Sequence, residues 1–260
     1  MNRLAILGAA LAAVLSAPAE CLDLPDVRQA GVLRVIVAMD EQPQRYNGES
    51  GAASGFDGEL LASFARLQRL KLETVKVPRY DDRIPALLGG KGDLIIAILE
   101  TPERRSRIAF SRQVLPARWT LATHVRRAPL TKAEQLADEK VGILDGATTW
   151  LQAALDAGVP RAKLKMFPSL PALLQGLATG EITATVLPVT DFGIAAQKHS
   201  WLQPGPLVGA GTSDAWAVRP ADTQLLKALN DHLEAVRATP AWNSLATRYF
   251  GREASRILAP

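Results

Sequence analysis

Three places in the chain carry side chains with the reach and charge for recognition chemistry. Arg104 stands in Thr101-Pro-Glu-Arg-Arg-Ser-Arg107, just past an apolar run that ends at Leu99. A guanidinium presents parallel N–H donors that grip a planar anion at two points, and so favours carboxylates. Its neighbours Arg105 and Arg107 make an exposed, charged helix turn the ordinary alternative. Thr148 follows Asp145-Gly-Ala147 and opens a helical segment, where a hydroxyl and a free backbone N–H can meet an anion or simply cap the helix. Glu41 and Glu100 follow strand-like runs and offer an anion to a cationic group, or sit as solvated rim charges.

Other chemistries find less support. Gly89-Gly-Lys-Gly92 lacks the spacing of a phosphate-binding loop and reads as the end of a helix. His124, His199 and His232 are far apart in the sequence with no metal-ligand spacing, and no Gly-x-Ser-x-Gly elbow is present. The chain is therefore expected to hold no metal or cofactor and to be no enzyme. The formal charge of +4 is spread over scattered basic residues and aromatic content is 5%, which argues against a nucleic-acid partner.

Elements that would position these residues follow from periodicity. Strand-length apolar runs at Leu33–Met39, Leu72–Val77, Leu94–Leu99, Lys140–Leu144, Lys163–Phe167 and Thr183–Leu187 alternate with helical segments, the pattern of parallel sheets with crossover helices. Glu59–Leu70, Thr149–Ala157 and Leu170–Thr179 each carry an apolar stripe, with Ser169 placed to cap the last. Asp222–Arg237 and Pro240–Phe250 read as two terminal amphipathic helices. Two β-α-β-α-β sets predict two lobes: residues 20–116 with 214–260, and residues 117–213. Extended hinge segments near Pro116–Ala122 and Pro206–Asp214 would join them.

Ahead of these lies Met1-Asn-Arg3, an apolar run from Leu4 to Leu15, and Ala17-Pro-Ala19, which together read as a signal peptide over residues 1–19. The run is too short to cross a bilayer as a helix, which takes about 20 residues. A soluble exported chain is expected, and Glu20 before Cys21 disfavours a lipoprotein. Cys21 is the only cysteine, so no internal disulfide forms and the fold must rest on its core.

From Gly31 onward the motif order resembles the amino-acid-type (family 3) bacterial extracellular solute-binding proteins. The resemblance is carried by Gly31-Val-Leu-Arg-Val35, Gly55-Phe-Asp-Gly-Glu-Leu60, Gly92-Asp-Leu-Ile-Ile96, Thr101-Pro-Glu-Arg104 with Ile108-Ala-Phe-Ser111, Lys140 to Thr148, Leu174 to Gly180, and Trp216-Ala-Val-Arg219. It implies an α/β fold of type II: two lobes, each a small doubly wound sheet, joined by two hinge strands and closing on a ligand beyond the carboxyl ends of the strands. It also implies a periplasmic, monomeric binding protein that serves an ABC importer permease.

Within that resemblance Arg104 matches the arginine that clamps the ligand's carboxylate, Ala147-Thr148 the opposing turn, and Tyr80 an aromatic that stacks on the ligand. Departures gather at the same pocket. Pro188 replaces the aspartate that holds an α-ammonium, Ala97 and Leu99 replace small hydroxylic residues, and Glu41 replaces a stacking aromatic. Asp191 lies near Pro188 but displaced from it. The expected ligand is a carboxylate-bearing solute that is not a standard α-amino acid. Two other readings share the fold: an enzyme resembling periplasmic cyclohexadienyl dehydratases, and a ligand-sensing regulator resembling the sensory lobe of membrane-bound lytic transglycosylases.

Overall fold

The computed structural model describes residues 23–39, 41–48 and 53–258; the expected signal peptide, Glu20 and Cys21 lie outside the described residues. Among the described residues nine strands form: β1 (Val32–Ala38), β2 (Lys71–Val77), β3 (Leu94–Leu99), β4 (Ala109–Phe110), β5 (Leu115–His124), β6 (Val141–Leu144), β7 (Leu164–Phe167), β8 (Ala184–Pro188) and β9 (Leu202–Val218). They make one continuous sheet in the order β2-β1-β3-β9-β5-β8-β6-β7, with β4 on β9. Both ends of this sheet are parallel, β1 with β2 and β3 at one end and β6 with β7 and β8 at the other.

Two long antiparallel strands join these ends. β5 pairs with β9 from Leu115 opposite Asp214 to His124 opposite Leu202, with two register shifts on the way. The expected hinge segments fall inside them. Each parallel end is a small α/β unit of its own.

Helices α1 (Leu24–Ala30), α2 (Phe56–Gln68), α3 (Arg83–Leu88), α4 (Pro102–Arg105), α5 (Thr148–Asp156), α6 (Leu170–Thr179), α7 (Val189–Lys198), α8 (Thr223–Arg237), α9 (Pro240–Phe250) and α10 (Ala254–Leu258) cover the sheet. Ser169 caps α6 by accepting the Ala172 N–H, as its position predicts. α3 ends at Leu88, and Gly89-Gly-Lys-Gly92 turns the chain into β3. At Gly92 a side chain would collide with Ile36, a Cβ standing 2.4 Å from its Cγ1. The expected start of α2 at Glu59 is three residues late, because Gly55, at φ 90°, lets the chain enter the helix at Phe56.

Buried apolar side chains separate into clusters that follow the lobes. Leu33, Val35, Phe56, Leu61, Phe64, Trp216, Leu229 and Phe250 belong to one, and a smaller group around Ile36, Leu87 and Ile95 fills the opposite face of the same sheet. Leu121, Val141, Ile143, Trp150, Leu173, Val186 and Phe192 belong to the other. Strand alternation explains the division within the first lobe, since Val35 and Val37 point one way and Ile36 the other.

α7 belongs to both units. Val189 and Ile194 pack into the first cluster, while Phe192 and Ala195 pack into the second. At Gly193 a Cβ would lie 3.2 Å from Glu253 and 3.3 Å from Ile257, so the helix runs close against the α9–α10 segment. That segment also reaches the hinge. Arg256 donates to Thr120 Oγ1 at 2.9 Å and to the Gly205 carbonyl at 2.7 Å, and Arg118 donates to the Arg256 carbonyl at 2.8 Å.

Candidate ligand-binding cleft

Residues at the carboxyl ends of β1, β3, β6 and β8 meet along the seam between the lobes. At the end of β3 the backbone is strained: Ala97 sits at φ 47°, where the register with β9 shifts. Arg83 holds this turn by donating to the Ile96 carbonyl at 3.0 Å and the Ala97 carbonyl at 3.4 Å. Leu99, two residues on, packs on the second-lobe cluster, on whose margin Leu144 and Ala147 also lie. The expected site residues Leu99 and Ala147 thus share one apolar contact region across the seam.

Arg104 is half-buried in α4, where the Thr101 side chain caps the helix by accepting the Arg104 N–H at 3.2 Å. Its guanidinium donates to the Leu99 carbonyl at 2.8 Å and pairs with no carboxylate among the described residues. Burial and the nearby charge of Arg83 push its pKa down from the usual arginine value. Arg105 turns outward to Glu100, at 2.8 Å, so Glu100 already has a cation partner.

Thr148 is the first residue of α5, and the capping position falls on Ala147, which has no side-chain acceptor. Capping by Thr148, the ordinary reading of its position, does not occur here. Its backbone N–H is turned back to the Gly146 carbonyl at 3.0 Å, and the residue is exposed.

Glu41 is not a solvated rim charge. Its side chain is 6% exposed, with the Tyr80 hydroxyl 3.4 Å from one oxygen and Arg83 3.9 Å from the other. The second oxygen accepts no hydrogen bond among the described residues. Burial pushes the Glu41 pKa up to about 7, against the pull of Arg83 and Arg45 and with the help of Asp57 and Asp191. Tyr80 is 38% exposed and carries the Arg83 guanidinium over its ring, 4.4 Å from the centroid.

Pro188 ends β8 opposite Trp119 of β5. The Trp119 indole N–H is buried without an acceptor among the described residues. Asp191, one turn beyond Pro188 in α7, accepts a hydrogen bond from the Gln42 side chain across the seam. Displacement along the sequence therefore does not remove it from the cleft wall. Its pKa is also pushed up to about 7 by burial, opposed by Arg45 and Gln42 and reinforced by Asp214.

Beneath these lies a group that sequence reasoning missed. Arg45 pairs with Asp57 and Asp214, each at 2.7 Å, and Asp57 also accepts the Trp216 indole N–H at 2.8 Å. Burial alone would lower the Arg45 pKa, but Asp214 and Asp57 hold it well above the usual value. Taken together, the seam gathers four carboxylates, Glu41, Asp57, Asp191 and Asp214, around the guanidiniums of Arg45 and Arg83.

The histidines lie elsewhere. His232 is buried against Phe64 and bonded to Ser63 and the Leu60 carbonyl. His124 and His199, distant in sequence, both stack on Trp201. Among the described residues no group of three or more His, Cys, Asp or Glu side chains is arranged to hold a metal ion.

Residues 33–252 match the bacterial extracellular solute-binding proteins, family 3. A "Probable histidine-binding protein" of Neisseria gonorrhoeae is 25% identical, with 88% of this chain and 87% of the relative covered. An L-arginine-binding protein of Pseudomonas aeruginosa is 24% identical over 96% of this chain and 97% of its own. Membrane-bound lytic murein transglycosylase F of Pseudomonas fluorescens is 24% identical over 89% of this chain, which spans only 49% of that enzyme. The solved structure of an ancestral cationic amino acid solute-binding protein superposes with a TM-score of 0.74 at 26% identity, covering 87% of this chain and 99% of the other. Such neighbours share the type II two-lobed fold, with the seam described above between its lobes. The chain belongs to the bacterial extracellular solute-binding proteins, family 3.

Proposed function

We propose that this protein is a periplasmic receptor that captures a small, amino-acid-like solute bearing a carboxylate and delivers it to an ABC importer. The observation that carries the reading is Arg104: a half-buried guanidinium at the end of β3, at the position of the family's carboxylate clamp, with no carboxylate of the described chain to satisfy it. An anion bound there gains a charge-assisted, bidentate contact in a partly dry site. Thr148, exposed at the start of α5, supplies a hydroxyl donor from the second lobe when the lobes close. Tyr80, Leu99, Ala147 and Pro188 line the walls. Signal peptide, monomeric state, permease partner and the lobe limits at residues 116–117 and 213–214 belong to the same reading.

Closure is what an importer would sense. The lobes shift toward the closed form only by as much as the ligand binds that form better. A binding protein returns its solute unchanged, which separates this reading from dehydratase chemistry.

A thermal-shift screen of the exported chain against amino acids, opines, dicarboxylates, aromatic acids and polyamines tests the proposal. A ligand at about 100 times its Kd adds roughly 2.7 kcal/mol, or about 5–10 °C of Tm for a chain of this size. A hit recovered chemically intact supports the receptor; conversion of prephenate or arogenate would replace it with an enzyme.

A further inference from the structure

Pro188 can supply neither charge nor an N–H at the place where the family resemblance implies an ammonium partner, so a ligand cation needs another partner. Leaving it desolvated and unpaired would cost several kcal/mol. Of the carboxylates at the seam, Asp57 and Asp214 are ion-paired with Arg45 at 2.7 Å, although one Asp214 oxygen accepts no hydrogen bond among the described residues, Asp191 accepts from the Gln42 amide, and Glu100 pairs with Arg105. Glu41 remains. Its contacts are a long hydroxyl bond from Tyr80 and a 3.9 Å ion pair with Arg83, and one buried oxygen has no hydrogen-bond donor among the described residues.

We infer that Glu41 is the specificity-determining residue of the cleft, accepting a positively charged nitrogen of the ligand, so that the first lobe alone carries partners for both charges of a zwitterion. Arg104 takes the carboxylate and Glu41 the cation. Arg83 stands between them, ion-paired with Glu41 and close enough to Arg104 to act on its charge. A ligand cation would relieve the excess of buried carboxylates over guanidiniums at the seam. The cation partner has in effect moved from the second lobe to the first, and the second lobe closes over a ligand already neutralised at both ends. This inference rests on the receptor reading above.

The groups facing Glu41 are Tyr80, Arg83, Arg45, Asp57 and, from α7, Asp191. Of these Asp191 titrates in the same range as Glu41, so its variant is the necessary control.

The test is calorimetric titration of the full exported chain and its Glu41→Gln variant with five probes: L-arginine, L-histidine, octopine, glutarate and 2-oxoglutarate. At least one of the three nitrogen-bearing probes should bind the wild type. Glu41→Gln keeps the side chain's shape but not its charge, and should weaken that binding roughly 10- to 100-fold. Wild-type affinity should rise between pH 6 and pH 8 as Glu41 loses its proton to solvent and its carboxylate becomes free to pair with the ligand's cation. That rise should persist in Asp191→Asn and vanish in Glu41→Gln. Equal affinity of wild type and Glu41→Gln, or binding of the two diacids alone, overturns the inference and leaves the receptor standing. Silence of the wild type toward all five probes overturns the inference, while the receptor reading stands or falls on the wider thermal-shift panel.

Discussion

The Arg104 guanidinium gives one N–H to the Leu99 carbonyl, meets no carboxylate of the described chain, and feels the charge of Arg83. Removing it therefore costs the free protein little, whereas a bound carboxylate loses its principal partner. Arg104→Ala should lower affinity roughly 30- to 150-fold, about 2–3 kcal/mol, as read by calorimetry. The free protein's Tm should stay within about 4 °C of wild type. At Arg104 the sequence was enough to place the side chain beside the end of β3, because the motif around it is local and contiguous. At Glu41 it was not: rim and cation-binding readings were equally open from the sequence. Burial beside Tyr80 and Arg83, distant in the chain, rules out the solvated rim. Arg45 and Asp214 left no signal, and Asp57 only its place in Gly55-Phe-Asp-Gly-Glu-Leu60, since the pairs span 12 and 169 residues and obey no helix or strand period.

Among the elements, the runs read as strands at Leu72–Val77, Leu94–Leu99 and Lys163–Phe167 appear within one residue of their expected limits. Leu94–Leu99 is a continuous apolar run, and Leu72–Val77 and Lys163–Phe167 mix apolar with charged residues over a strand's length between turns, so length and bounding turns suffice. α7 was not legible. Its sequence, Val-Thr-Asp-Phe-Gly-Ile-Ala-Ala-Gln-Lys, has apolar residues on two faces because it packs into both clusters, and so shows no single stripe. β4, at two residues, is too short for any pattern. α10 was likewise not legible, yet it ties the hinge. Arg256 bonds both long strands, Thr120 on β5 and Gly205 on β9, while its own carbonyl accepts from Arg118. Arg256→Ala loses two bonds from a charged donor at partly buried acceptors. It should lower Tm by roughly 3–10 °C in a thermal melt without altering the ligand panel.

For the molecule as a whole, the buried carboxylates make stability depend on pH. Glu41 and Asp191 are both raised by burial to about 7, and Asp214 is raised as well, by burial against the pull of Arg45. In the unfolded chain such groups titrate near 4. Between about pH 4 and pH 7 the folded protein holds protons that the unfolded chain has released, so stability falls as pH rises through that window and levels off above it. Without ligand, Tm should drop by roughly 5–10 °C from pH 5 to pH 7.5 in a calorimetric scan. The double variant Glu41→Gln with Asp191→Asn should flatten most of that slope.

The two apolar clusters differ in how they draw on the chain. One is built from a single uninterrupted stretch between Trp119 and Val208, helped by Leu99 at its margin. The other needs residues from Leu24 to Leu115, Val189 and Ile194 of α7, and again Trp216 to Ile257, and β3 finds its second neighbour only when β9 arrives. A chain delivered amino-terminus first can complete the inner lobe while the outer lobe is still half-built, with β3 an open edge. The residues from Trp216 onward thus set the moment of completion, and until then the half of the cleft carrying Arg104 and Glu41 has no finished scaffold.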